Sequence, residues 1–195
     1  MQNLRDLSRE IRGYSVGTKS ATNARMKAIG LFRAFVANLY GGNRKAKITK
    51  YNIMKIALAA DHAGFEEKEK IKKTLDELGV EYTDMGTNSP DSVDYPDFAH
   101  KVGEAVAKGD VDQGMLFCGS GTGMAIAANK VSGVRAAVAW NADIARLARE
   151  HNNANVLSLA ARFTPPEEMD KIVRAWFAAD FEGGRHGRRV EKIES

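Results

Sequence analysis

From residue 53 onward the chain alternates short apolar runs with amphipathic stretches, and this alternation restricts its fold more than any other feature. Ile53 to Ala60, Val80 to Asp84, Val111 to Phe117, Val134 to Ala139 and Asn155 to Leu159 read as five strands. The first interval places Phe65, Ile71, Leu75 and Leu78 on one helical face and stops at Gly79; the next places Phe98, Val102 and Val106 together and closes at Gly109. Met124 to Lys130 continues as a helix, and Asn141 caps another that carries Ile144 and Leu147. Thr164-Pro165-Pro166-Glu167 reads as a capping box with proline in the first turn, ahead of a stripe of Met169, Ile172, Val173, Trp176 and Phe177. Arg185 to Lys192 is expected to form a short helix leaving the domain body. Parallel strands need crossovers long enough for a helix, so this order predicts an α/β protein with a parallel sheet covered on both faces.

Charge is segregated along the chain. Residues 1–53 hold eleven Lys or Arg against Asp6 and Glu10, a net of +9, whereas residues 54–195 are net −5. The basic character therefore belongs to an N-terminal extension, expected to be flexible or partly helical around Ile29, Phe32, Val36 and Leu39, and the domain over 54–195 is not read as a nucleic-acid binder. An Arg-rich, acid-poor amphipathic start is also the composition of an organellar transit peptide; the alternatives are a translated upstream stretch or a tail. No run approaches the ~18 apolar residues of a membrane span. One cysteine forms no internal disulfide, which points to a reducing compartment: the cytoplasm, or an organelle if residues 1–53 are a transit peptide.

Ligands of open parallel sheets bind beyond the carboxyl ends of the strands. There the sequence places Asp61 and His62, Tyr95 in the loop after the second strand, and Cys118-Gly119-Ser120-Gly121-Thr122-Gly123 after the third. Alternate glycines let backbone N–H groups converge ahead of a helix, forming a hole for a phosphate or an enediolate oxygen. A thiol in such a ring of donors is favoured as thiolate and supplies a base, although a buried inert thiol and a tight structural turn are the plainer readings. The glycine spacing lacks a full dinucleotide fingerprint, and no phosphate-binding Gly-x-x-x-x-Gly-Lys-Ser/Thr loop occurs. His62 and His151, the latter followed by Asn152, are expected near the ligand-binding edge as candidate general acids, and His100 is read as structural. Arg162, Arg185, His186 and Arg189 are candidates for a phosphate, with 185 and 189 on one face of a helical tail. No cluster shows metal-ligand spacing, so neither metal nor cofactor is expected.

Taken together, Ala60-Asp61-His62-Ala63-Gly64-Phe65, Asp94-Tyr95-Pro96, the Cys118 loop with Ala127-Ala128-Asn129-Lys130, His151-Asn152-Asn153-Ala154-Asn155-Val156-Leu157 and Glu182-Gly183-Gly184-Arg185-His186 resemble the ribose-5-phosphate isomerase B family, which also includes galactose-6-phosphate isomerase subunits. The blocks keep the family's order over residues 54 to about 192. The resemblance implies a Rossmann-like three-layer sandwich with a five-stranded parallel sheet. It also implies interconversion of ribose 5-phosphate and ribulose 5-phosphate through an enediolate, without a metal, within the pentose phosphate pathway. It gives Cys118 as proton-accepting base, His151 as ring-opening acid, Asp61 and His62 as a substrate-binding pair, and Gly119 to Gly123 as the anion hole. Asn152, Arg162, Arg185 and Arg189 correspond to further ligand contacts, and Tyr95 to a pocket wall. The family is dimeric or tetrameric with sites shared between subunits. Ser120 stands where relatives often have Thr, and Thr122 where they often have an apolar residue. Cys118 with Ala125 fits the cysteine-based branch rather than relatives with a glutamate in this loop. The competing expectations are a hexose-6-phosphate isomerase (allose or galactose) and a non-enzymatic sugar-phosphate sensor.

Overall fold

The computed structural model describes residues 54–195, and the basic extension with its expected helix lies outside them. Five parallel strands form one sheet: β1 (Lys55–Ala60), β2 (Glu81–Asp84), β3 (Gln113–Cys118), β4 (Ala136–Val138) and β5 (Val156–Ala160), in the order β2-β1-β3-β5-β4. Among the described residues six helices accompany it: α1 (Phe65–Leu78), α2 (Tyr95–Lys108), α3 (Thr122–Ala128), α4 (Ala142–Asn152), α5 (Pro166–Ala178) and α6 (Arg185–Glu191). The expected three-layer α/β sandwich is what forms.

The central strands are buried on both faces, so they read as continuous apolar runs rather than as alternation. One face carries Ile56, Leu58, Met115, Phe117, Leu157 and Leu159 against α1, α4 and α5. The other carries Ala57, Ala59, Leu116 and Cys118 against α2 and α3. Two buried polar groups in this framework are paired, as burial requires. Trp176 donates its indole N–H to Gln113 Oε1 at 2.6 Å. Lys68, fully buried, donates to both Asp84 oxygens at 2.7 and 2.6 Å and to the Thr87 carbonyl at 2.8 Å, tying α1 to the end of β2 and the turn beyond it.

Several local expectations are corrected. The capping box is not made: Pro165 occupies the position before α5, so Thr164 lies one residue too early to cap it, and no side chain does. Tyr95 opens α2 instead of lying in the preceding loop, because Pro96 fits the first turn of a helix. β3 starts two residues late and includes Cys118, and α3 starts at Thr122. β4 keeps only three residues, since Asn129 takes over at its edge: the Asn129 amide donates to the Ala136 carbonyl at 2.9 Å and its Oδ1 accepts the Ala136 N–H at 2.7 Å. The Asn141 cap is present, with Oδ1 accepting the Ile144 N–H at 2.9 Å. The tail helix α6 does not leave the body; it packs on α4.

Candidate active site

The strand order reverses direction at β1, with β2 on one side and β3 on the other, and this is where such sheets open a crevice at their carboxyl edge. The two strands flanking that crevice end in Asp61-His62 and in Cys118. The Asp61 N–H donates to the Phe117 carbonyl at 3.1 Å, so the two ends are joined directly. Asp61 is buried and its Oδ1 accepts the N–H groups of Ala63 and Gly64 at 2.9 and 3.0 Å, which fixes the turn that presents His62. His62 Nδ1 accepts the Val93 N–H at 3.5 Å, linking this turn to the loop after β2.

Cys118 is buried at the end of β3, and its Sγ accepts the Gly121 N–H at 3.1 Å. That bond depends on Gly121 holding φ +75°, a left-handed conformation in which a side chain is strained. Ser158, buried on β5, anchors the same residue by donating Oγ–H to the Gly121 carbonyl at 2.6 Å. Sequence reasoning passed over Ser158 because a lone serine within an apolar strand carries no signal of what lies above it. Ser120 Oγ accepts the Thr122 N–H at 3.4 Å. Gly123 lies against Tyr95, whose ring Cζ would stand 2.9 Å from a Cβ there, so the Tyr95 ring borders the loop. Arg162 covers Gly119: its N–H donates to the Gly119 carbonyl at 3.1 Å, and its Cδ would lie 3.4 Å from a Cβ at that position. Asp61, His62, Tyr95, the Cys118 loop and Arg162 thus form one group at the carboxyl edge. It offers a thiol, backbone donors and one guanidinium.

The remaining candidates gather elsewhere. A crossover helix runs back against its strands, so α4 begins after β4 at the carboxyl edge and ends at the amino edge. Its last turn carries His151 and Asn152, and Asn153 and Asn155 beyond it bond to Arg135 and Gly133, just before β4. His151 is therefore not near the carboxyl edge of its own chain, contrary to the sequence-based expectation. β5 alone separates it from the Ala160–Cys118 level by about 13 Å or more, at roughly 3.3 Å per residue. His186 of α6 stacks on His151 with ring centroids 4.1 Å apart and planes 5° apart. Glu182 approaches both, its Oε2 lying 3.9 Å from His151 Nε2 and 3.8 Å from His186 Nε2. Arg185 Nε donates to His186 Nε2 at 3.3 Å. Burial, then the neighbouring His151 and Arg185, push the His186 imidazole below its ordinary pKa. Arg189 lies one turn beyond Arg185 on α6. His100 is exposed on α2, outside both groups. Glu182 was missed as a candidate because only the turn through Gly183 and Gly184 brings it beside the two histidines.

A parallel sheet that presents a thiol above a glycine loop at its switch point, with a histidine and arginine group at its other edge, places the chain in the α/β class whose ligand sites lie at the carboxyl edge of the sheet. Within that class the chain belongs to the ribose/galactose isomerase family, whose family model matches residues 56–193. The ribose-5-phosphate isomerase B of Escherichia coli is 49% identical over 139 residues, covering 71% of this chain and 93% of that protein. A ribose 5-phosphate isomerase structure from Thermotoga maritima is 50% identical with a TM-score of 0.71, covering 73% of this chain and 99% of that one. The Mycoplasma genitalium ribose-5-phosphate isomerase B structure, solved with ribulose-5-phosphate bound, is 44% identical with a TM-score of 0.70, covering 74% of this chain and 96% of that one. The chain is an isomerase of this family.

Proposed function

We propose that this isomerase interconverts ribose 5-phosphate and ribulose 5-phosphate, with Cys118 removing the proton from the carbon beside the carbonyl and returning it to the neighbouring carbon. The thiol and the N–H donors of the glycine loop meet the two demands of the step, a base and stabilisation of the enediolate oxygen. His151 is the acid that opens the sugar ring, and Asn152, Arg162, Arg185, His186 and Arg189 hold the substrate, the arginines gripping its phosphate. Asp61 and His62 bind the sugar, Tyr95 bounds the pocket, and Gly119, Ser120, Gly121, Thr122 and Gly123 form the anion hole.

The observation that carries this reading is the separation of the two groups. Ring opening and proton removal occur at adjacent atoms, and a hydrogen bond reaches only about 3 Å. Base and acid of one chain stand too far apart to share a sugar, so the complete site combines the carboxyl edge of one copy with the amino edge of another. Exposed Ile126, Trp140 and Phe163 near the carboxyl edge supply apolar surface for such a contact, Phe163 being 76% exposed. The homo-oligomer is thus a condition of activity.

A coupled ribose 5-phosphate isomerisation assay tests the reaction, with allose and galactose phosphates compared by kcat/KM. Activity undiminished by a chelator and lost in Cys118→Ala, with binding retained, is the expected result. Binding without turnover would instead make the chain a sensor, and a hexose preference would overturn the pentose assignment. Mixing Cys118→Ala with His151→Asn chains after subunit exchange tests the shared site: part of the wild-type rate returns if each copy supplies one group, and none returns if a single chain holds both.

A further inference from the structure

We infer that Lys68 is a positioning residue of the isomerase: through Asp84 and Thr87 it fixes the turn that presents Asp61 and His62, and so sets how tightly the substrate is held. The inference rests on the proposed sugar-binding role of Asp61 and His62. Lys68 lies on α1 with no exposed surface, and its ammonium carries three hydrogens. It donates to Asp84 Oδ1 and Oδ2 at 2.7 and 2.6 Å and to the Thr87 carbonyl at 2.8 Å. Asp84 Oδ1 in turn accepts the Gly86 N–H at 2.9 Å. Gly86 and Thr87 then close on Ala60, the last residue of β1. The Ala60 N–H donates to the Gly86 carbonyl at 2.7 Å, and the Thr87 N–H donates to the Ala60 carbonyl at 2.9 Å. Asp61 and His62 follow directly.

The other side of that turn is held by the sheet, since the Asp61 N–H bonds to the Phe117 carbonyl of β3 at 3.1 Å. On the β2 side the strand ends at Asp84, and residues 86 and 87 are gripped from both layers. Lys68 holds them from the α1 layer. From the α2 layer the Phe98 ring closes on Gly86, where an added Cβ would stand 2.6 Å from Phe98 Cε1. The loop then runs on to Val93, whose N–H reaches His62 Nδ1 at 3.5 Å. An apolar residue of similar volume often serves stability as well as a buried ion pair does, because taking an ammonium out of water is costly. What it does not supply is direction: bonds to one carboxylate and one carbonyl fix where residues 86 and 87 stand. Lys72 also reaches Asp84, at 2.7 Å, so the bond to Thr87 is what Lys68 adds.

Lys68→Met in the full-length chain keeps the length of the side chain and removes both bonds. Its KM for ribose 5-phosphate is expected to rise about ten-fold or more while kcat changes by less than about three-fold, the pattern of lost binding rather than lost chemistry. Without substrate, Cys118 should be alkylated by iodoacetamide at the wild-type rate. Amide hydrogen exchange at Thr87 and Val93 should quicken by about ten-fold, because the loop opens locally more often. Asp170→Asn is the control: it removes the bonds of Asp170 to Thr74 and Arg174, away from the turn, and should leave KM and exchange at both amides unchanged. Asp84→Asn weakens the clamp with little change of size and should show the Lys68→Met pattern at smaller amplitude; it carries the test if circular dichroism finds Lys68→Met unfolded. KM and exchange that both match the control overturn the inference, as does a raised KM without quickened exchange or a changed rate of thiol alkylation. The exchange measurement is read whether or not ribose 5-phosphate turns over. Quickened exchange with a wild-type KM leaves the clamp standing, and the sugar-binding role of Asp61 and His62 is what fails.

Discussion

Replacing Gly121 by alanine isolates what the thiol loop demands of its backbone. At φ +75° an alanine costs about 1–2 kcal/mol for the left-handed conformation alone. Its Cβ would also stand 3.2 Å from Leu159 C and Val138 Cγ1 and 3.3 Å from Ala160 N. Two of those three atoms are backbone of β5, which is paired with β3 on one side and β4 on the other and cannot retreat. Crowding of this kind adds about 1–3 kcal/mol. The total, about 2–5 kcal/mol, is a large share of the ~5–15 kcal/mol that holds a typical domain together. Gly109→Ala is the matched control, because Gly109 sits at φ +74° with nothing within 4 Å of a Cβ and incurs only the conformational part. Urea denaturation of the two variants should therefore differ by the crowding term. In Gly121→Ala the N–H that reaches Cys118 Sγ is displaced, so kcat falls and alkylation of the thiol slows at fixed pH, whereas Gly109→Ala keeps both. Equal destabilisation within about 0.5 kcal/mol would refute the crowding argument, since independent effects agree to that margin. Unchanged thiol reactivity in Gly121→Ala would refute the coupling of loop to base.

Lys68→Met removes the fully buried partner of Asp84 while Lys72 still reaches it at 2.7 Å, so urea denaturation should show a loss below the ~3–5 kcal/mol of a buried charge left without any partner. His151→Asn should depress turnover of the cyclic sugar more than that of a linear analogue, read by kcat/KM for each; equal losses would remove ring opening from its role. Acid should destabilise the domain through two carboxylates. Burial works to raise the Asp84 pKa, but the bonds from Lys68 and Lys72 and from the Gly86 N–H outweigh it; Asp170 is held low by Arg174, against burial, with help from Thr74. A carboxyl group lowered on folding stabilises fully above its unfolded value of about 3.9 and loses that contribution as the pH falls through its folded value. The urea midpoint should thus show a small loss as the pH falls through about 6.5, from His186 with its lowered pKa, and a further fall below about pH 4 that Asp170→Asn flattens. No change below about pH 5 would refute the carboxylate contribution.

The class of fold was legible because burial on both faces turns parallel strands into continuous apolar runs, and glycine stops such as Gly79 and Gly109 punctuate the helices between them. Strand order was not legible. Nothing in the text of β4 and β5 says that the fifth strand lies inside the fourth, since both are short apolar runs of one period. Cys118, Asp61 and His62 were singled out because chemistry at strand ends has a known place in such sheets, and the structure brings them together there. His151 was found as a residue but expected at the wrong edge, because its place depends on the length of α4 and not on any local pattern. The capping box failed for a local reason: Pro165 and Pro166 shift the helix start one residue past the position that Thr164 could serve.

The amide of Asn129 has a consequence for how copies of this protein can meet. It occupies the outward N–H and C=O of Ala136 on the three-residue strand at one margin of the sheet. An incoming strand finds the donor and acceptor of Ala136 already taken, which shortens any backbone ladder it could build from that side. Association is weighted towards side-chain surfaces, which can be selective in a way that main-chain pairing is not. Asn129→Ala would unseal that margin, and the cost would show as concentration-dependent aggregation of the folded protein before any loss of thermal stability.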